Sequence, residues 1–155
     1  VIDICLNRAL FLCGNQTKAA EEISDLKDLI VCRRREVVLK VILETGELQT
    51  LSNVWRASLL ALKSGADFIK TSTGKISCGA DVYSASVMLL ALREHYRKSG
   101  IIKGLKVAGG IREPLEAVKY KRLFEYFISD NIKLGDNFRI GCSRLFDALK
   151  SEIQK

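Results

Sequence analysis

Five short apolar segments, each followed by a longer stretch with helical spacing, constrain this chain more than any other feature of its sequence. They are Val1–Leu6, Val37–Leu43, Phe68–Ser72, Leu105–Ala108 and Phe138–Gly141. Centred near residues 3, 40, 70, 106 and 140, they recur at steps of 37, 30, 36 and 34 residues. A hairpin needs only a few residues between strands, whereas a parallel pair needs a crossover, usually a helix. The spacing is therefore that of β/α units. Helix signals fall where such units need them. Thr17 is placed to cap a helix with Ala20, Ile23, Leu26 and Ile30 at helical spacing. Ser52 opens a second, which Gly65 ends in a left-handed conformation, and Asp81 opens a third that runs to Gly100. Pro114, the single proline, suits the first turn of a fourth, where its missing N–H has no partner to lose. Ser143 opens the last, which extends to about Ile153. Strict alternation predicts an α/β fold with a parallel sheet, either open and doubly wound or closed as a (β/α)8 TIM barrel. Five units suit an open sheet by count. The composition of the strands favours the barrel.

At 155 residues, with 48% apolar and 28% charged residues, the chain reads as one folded domain spanning residues 1–155. The net charge of +7 fits an anionic small molecule, nucleic acid or no specific partner. The basic residues are dispersed and match no nucleic-acid recognition module. Their tightest cluster, Arg33-Arg34-Arg35, trails a helical stretch, where cations complement the negative end of the helix dipole. No nucleic-acid partner is expected. The five cysteines are odd in number and widely spaced, and His95 is the only histidine. A zinc site or a Cys/His nucleophile pair has almost no material to work with, and reduced thiols in a cytoplasmic protein are the simpler account. No apolar run reaches the roughly 18 residues of a membrane span, so no membrane partner is expected.

The strands carry charge where an apolar run would exclude it. Lys40 lies in the middle of Val37–Leu43, Lys70 within Phe68–Ser72, and Lys106 within Leu105–Ala108, while Asp3 holds the matching place in the first strand. A strand buried on both faces has no cheap position for a charge. One such lysine reads as a buried ion pair or a snorkelling side chain. Three lysines and an aspartate in neighbouring strands point elsewhere. Inward positions of a closed barrel converge near the C-terminal ends of its strands, where such enzymes place their chemistry. Crowded ammonium groups lower one another's pKa, and a lysine needs that shift to attack a carbonyl as a free amine near neutral pH. The pattern suggests a Schiff-base lysine tuned by a second lysine, without saying which is which. Gly74, Gly109 and Gly110 let backbone N–H groups approach an anion, Lys75 adds charge, and Ser143 lies at a helix N-terminus. These are the candidate phosphate-binding residues. The plainer reading of the same glycines is tight turns after strands.

Three segments resemble the deoxyribose-phosphate aldolase family: Gly65-Ala66-Asp67-Phe68-Ile69-Lys70-Thr71-Ser72-Thr73-Gly74-Lys75, then Lys106-Val107-Ala108-Gly109-Gly110-Ile111-Arg112, and Lys40-Val41-Ile42-Leu43-Glu44-Thr45-Gly46-Glu47-Leu48 before them. The Asp3 strand and Phe138-Arg139-Ile140-Gly141-Cys142-Ser143 align in the same order. The resemblance implies a (β/α)8 barrel, of which this chain holds about five units, beginning at the fourth strand. It also implies a class I aldolase, a carbon–carbon lyase of deoxyribonucleoside catabolism. Such an enzyme reversibly cleaves 2-deoxy-D-ribose 5-phosphate to acetaldehyde and D-glyceraldehyde 3-phosphate. By motif match Lys70 forms the imine, Lys106 depresses its pKa, and Asp3 belongs to the proton relay with Lys40 beside it. No metal or organic cofactor is implied; the partner is a small sugar phosphate, and homo-oligomers are compatible. The chain departs from the family pattern at Val107, Gly79 and Arg144. Two other readings compete: another phosphate-binding barrel lyase or isomerase, and a truncated non-catalytic remnant or interaction protein.

Overall fold

The computed structural model describes residues 1–33, 36–128, 134–143 and 145–153. Arg34 and Arg35 of the basic cluster, and Arg144, lie outside the described residues. The strands and α-helices of the described residues follow in chain order: β1 (Ile2–Cys5), α1 (Arg8–Leu12), α2 (Gln16–Arg33), β2 (Leu39–Ile42), α3 (Leu51–Lys63), β3 (Phe68–Lys70), α4 (Val82–Ser99), β4 (Gly104–Ala108), α5 (Pro114–Phe127), α6 (Leu134–Asn137), β5 (Phe138–Gly141) and α7 (Leu145–Ile153). The five strands are parallel and lie in the order β1-β2-β3-β4-β5. This is the order of consecutive β/α units in a barrel wall. A doubly wound sheet would instead reverse its order at a switch point.

Strand residues alternate between two faces. Leu39, Val41, Ile69, Leu105 and Val107 point to one face and are fully buried. There they form a single core with Ile23, Ala57, Met88, Leu89 and Phe124 from the helices. Each of the larger of these side chains contributes about 2 kcal/mol by leaving water. The opposite face carries Asp3, Lys40, Phe68, Lys70, Lys106 and Arg139. The register fixes their neighbours: Asp3 pairs with Lys40, Lys40 with Phe68, Lys70 with Lys106, and Lys106 with Arg139. The charges inside the apolar segments thus occupy the face that the helices do not cover.

Capping explains where most helices begin, and corrects three expectations. The Thr50 hydroxyl, not Ser52, accepts the Asn53 N–H and starts α3. The Asn15 side chain accepts from Lys18 at the start of α2, so Thr17 already lies inside that helix. The last helix opens at Leu145, two residues after Ser143. Asp81 caps α4 as expected, and Gly100 ends it with φ +69°. Pro114 takes the first position of α5, where Glu116 accepts the Glu113 N–H. The short α1 and a 3-10 turn at Thr45–Glu47 have no counterpart in the hydropathy pattern.

Asp67 fastens the N-terminal side of the sheet. Its carboxylate accepts from Lys27 Nζ (2.6 Å), Lys103 Nζ (3.2 Å) and the Leu39 N–H (2.8 Å), joining α2, β2 and the approach to β4. Burial alone would raise its pKa. The hydrogen bonds from Lys27 and Leu39 and the charge of Lys103 outweigh it and hold the carboxyl below the ordinary aspartate range. No described helix is long and apolar enough to cross a membrane.

Candidate active site

The C-terminal ends of β3, β4 and β5 open into a cleft of about 560 Å³, whose lining includes Lys70, Lys106, Gly74, Lys75, Gly109, Gly110 and Ser143. All five candidate phosphate-binding residues therefore lie in one cleft with two of the three strand lysines. Gly74, Gly109 and Gly110 adopt φ of +81°, +97° and +82°, values that L side chains rarely reach. At these positions the backbone favours glycine, whatever the ligand. Ser143 reaches the cleft from the segment between β5 and α7.

Asp3 and Lys40 approach from the β1–β2 side. Lys40 is buried, at 3% exposure. Its Nζ donates to Asp3 Oδ1 at 2.8 Å, and Lys70 Nζ donates to the other oxygen, Oδ2, at 3.4 Å. One carboxylate thus bridges two lysines from two different strands. Burial works to raise the Asp3 pKa. The Lys40 hydrogen bond and the charges of Lys40, Lys70 and Lys106 outweigh it, leaving the group below the usual carboxylate range. Lys106 is also shifted downward, from the ordinary lysine value. Burial, then the charges of Lys40 and Lys70, and beyond the opposing pull of Asp3 the charge of Arg139, lower its pKa. The crowding expected from sequence is present, and it adds to burial in lowering the Lys106 pKa.

Glycine again makes the room. A Cβ at Gly141 would stand 2.8 Å from Lys106 Cε and 2.8 Å from the Ala108 Cβ, so β5 can pass beside Lys106 only without a side chain there. A Cβ at Gly79 would lie 2.5 Å from the Gly109 carbonyl oxygen, and the Ala80 N–H donates to that oxygen at 3.0 Å. The turn that departs from the family pattern is thereby packed against the glycine loop. Thr71, fully buried, donates its hydroxyl to the Ala108 carbonyl and accepts from the Ala108 N–H, both at 2.9 Å. That pair of bonds ties the end of β3 to the start of the same loop.

Several cleft residues escaped the sequence reading: Thr73, Ile111, Arg112, Gly141 and Cys142. Thr73 and Arg112 sit inside the quoted segments, and a cation following a glycine pair was a legible signal for Arg112. Nothing in the strand pattern marked Gly141, because its role depends on a neighbour 35 residues earlier. All five cysteines are free. Among the described residues no group of three or more His, Cys, Asp or Glu could hold a metal ion.

The profile of the family described as "DeoC/LacD family aldolase" matches residues 2–145. A mouse protein named deoxyribose-phosphate aldolase is 41% identical over 152 residues, covering 98% of this chain and 46% of its own length. A protein of that name from Agrobacterium fabrum is 39% identical over 146 residues, covering 94% and 54%. The chain thus spans about half the length of the curated relatives it matches. Among solved structures, the tetrameric deoxyribose phosphate aldolase of Aeropyrum pernix superposes with a TM-score of 0.64 at 26% identity, over 97% of this chain and 54% of that one.

Proposed function

The chain belongs to the DeoC/LacD aldolase family, and from that premise we propose that it supplies the imine-forming half of a deoxyribose-phosphate aldolase built on a complete (β/α)8 barrel. The observation that carries the reading is the pairing of Lys70 with Lys106 on adjacent strands, both opening into the cleft that holds the glycine loops. A carbonyl held at the lysines and a phosphate held at the loops would lie within one molecule of substrate. Lys70 attacks C1 of open-chain 2-deoxy-D-ribose 5-phosphate, and loss of water leaves an iminium ion. The C3 hydroxyl gives up its proton, the C2–C3 bond breaks, and its electron pair moves toward the iminium to form an enamine. D-glyceraldehyde 3-phosphate leaves. Protonation of the enamine at C2 and hydrolysis then release acetaldehyde and restore the Lys70 amine.

In this scheme Asp3, bonded to Lys40 and Lys70, orders the amine and passes protons, while Lys106, its pKa lowered by burial and by the charges of Lys40 and Lys70, gives and takes a proton. Gly74, Lys75, Gly109, Gly110 and Ser143 bind the phosphate through backbone N–H groups, a hydroxyl and an ammonium. The shared cleft and the left-handed glycines support that assignment. No metal or organic cofactor takes part. The proposal extends to a catabolic setting in the cytoplasm, a sugar phosphate as the partner and a homo-oligomer. Free cysteines, a family of sugar-phosphate aldolases and a tetrameric relative support those parts. The test is acetaldehyde release from 2-deoxy-D-ribose 5-phosphate by the full-length protein that carries this chain. Release that disappears in Lys70→Ala supports the reading. Release that survives the substitution overturns it.

A further inference from the structure

Glu44 takes no part in the scheme above, yet it is tightly constrained. It follows β2, is 2% exposed and adopts the left-handed conformation at φ 56°, ψ 62°. L-residues avoid that region, and they persist in it where surrounding bonds over-determine the backbone. Here the Glu44 carbonyl accepts the Glu47 N–H at 2.9 Å, and the side-chain bonds all lead to one residue. The Thr73 N–H donates to both carboxylate oxygens of Glu44, at 3.1 and 3.2 Å, and the Thr73 hydroxyl donates to Oε2 at 2.5 Å. Thr73 Oγ1 in turn accepts the Lys75 N–H at 3.1 Å.

A hydroxyl has one proton and two lone pairs. Glu44 takes the proton and Lys75 takes one lone pair. One lone pair is left, on a half-buried side chain that lines the cleft. Resting on the aldolase reading above, we propose that Glu44 is a positioning residue that holds the Thr73 hydroxyl as a pure acceptor, so that the cleft selects an acceptor aldehyde whose own hydroxyl donates a hydrogen bond. In the chain, Thr73 falls between Lys70, where the carbonyl is bound, and Gly74 and Lys75, where the phosphate is bound. The hydroxyl of D-glyceraldehyde 3-phosphate likewise lies between its carbonyl and its phosphate.

The full-length protein is tested in the synthetic direction with acetaldehyde. D-glyceraldehyde 3-phosphate is compared with its 2-fluoro analogue, in which fluorine replaces the hydroxyl and cannot donate. The wild type should prefer the hydroxyl compound by about tenfold or more in kcat/KM, the worth of a buried hydrogen bond to a polar acceptor. Glu44→Gln keeps the volume, but its amide can donate to Thr73 Oγ1 and free the hydroxyl proton. The preference should fall to within about twofold, while borohydride trapping of acetaldehyde, which bears no hydroxyl, stays within about twofold of wild type. Equal losses on both acceptors and on trapping would mean a merely structural role and would overturn the assignment, as would an unchanged preference. If Glu44→Gln does not fold, Thr73→Ser should keep the preference and Thr73→Val should abolish it; a preference that survives in Thr73→Val overturns the assignment. A wild type that traps no acetaldehyde sinks the aldolase reading and this one with it. Intact trapping with no preference sinks this one alone.

Discussion

Gly104→Ala should destabilise the sheet beside the lysines by about 1–3 kcal/mol, by a route the structure specifies. A Cβ at Gly104 would lie 2.2, 2.4 and 2.5 Å from three ring atoms of Phe68. Carbon atoms at optimal contact stand about 3.5–4.0 Å apart, so the ring must move by more than about 1 Å. It has little freedom to do so, being 5% exposed with the Arg139 guanidinium 4.1 Å from its centroid. Overpacking of this kind costs about 1–3 kcal/mol. Displacing Arg139 from the ring adds about 0.5–1 kcal/mol. Exchanging glycine for alanine in a strand returns about 0.5–1 kcal/mol of backbone entropy. Repulsion wins. The assay is equilibrium urea denaturation of the full-length protein at constant m-value. The companion variant Gly104→Ala/Phe68→Leu should recover about 1 kcal/mol or more relative to the sum of the single changes, because leucine vacates the space. A Gly104→Ala change within about 0.5 kcal/mol of neutral, or strict additivity, would refute the steric account.

Three further outcomes follow from the same structure. Asp67→Asn should cost about 1–2 kcal/mol at neutral pH, since the carboxylate is partly exposed and its pairs are screened. Because the folded pKa lies below the unfolded value of 3.8, that stability is fully present above pH 3.8 and fades as pH falls through the folded value; denaturation curves of wild type and variant should converge there. Arg139→Met removes a cation near Lys106 and should move the Lys106 titration upward in a ¹³C-methyl-lysine NMR experiment, whereas a downward move would contradict the electrostatic cause. Gly109→Val forces a side chain onto φ +97° and against the Gly79 Cα, 2.9 Å from the new Cβ. Turnover of deoxyribose 5-phosphate should suffer far more than that of unphosphorylated deoxyribose, and equal losses would place the phosphate elsewhere.

The β/α rhythm, the strand centres and the convergence of Asp3, Lys40 and Lys70 were legible because they depend on period and charge along the chain. A lysine in an apolar run is costly enough to be noticed, and the register then brought Lys70 beside Lys106. Features that escaped depend on pairs distant in sequence. Gly141 matters because of Lys106, and Gly104 because of Phe68. The caps at Thr50 and Asn15 displaced Ser52 and Thr17 because neighbouring polar residues compete for the same N–H groups, and hydropathy does not rank them. Glu44 was quoted within a segment without a role, since its left-handed backbone and its bonds to Thr73 appear only when β2 and β3 are side by side.

The most direct measurement locates the covalent bond. The full-length protein is mixed with acetaldehyde and reduced with borohydride, which converts an imine into a stable secondary amine, and the modified lysine is mapped by mass spectrometry. The expected result is an ethyl adduct on Lys70, with Lys40 and Lys106 unmodified, and its loss in Lys70→Ala. An adduct on Lys106 with Lys70 intact would exchange the two roles, and no adduct on any lysine would contradict the Schiff-base chemistry itself.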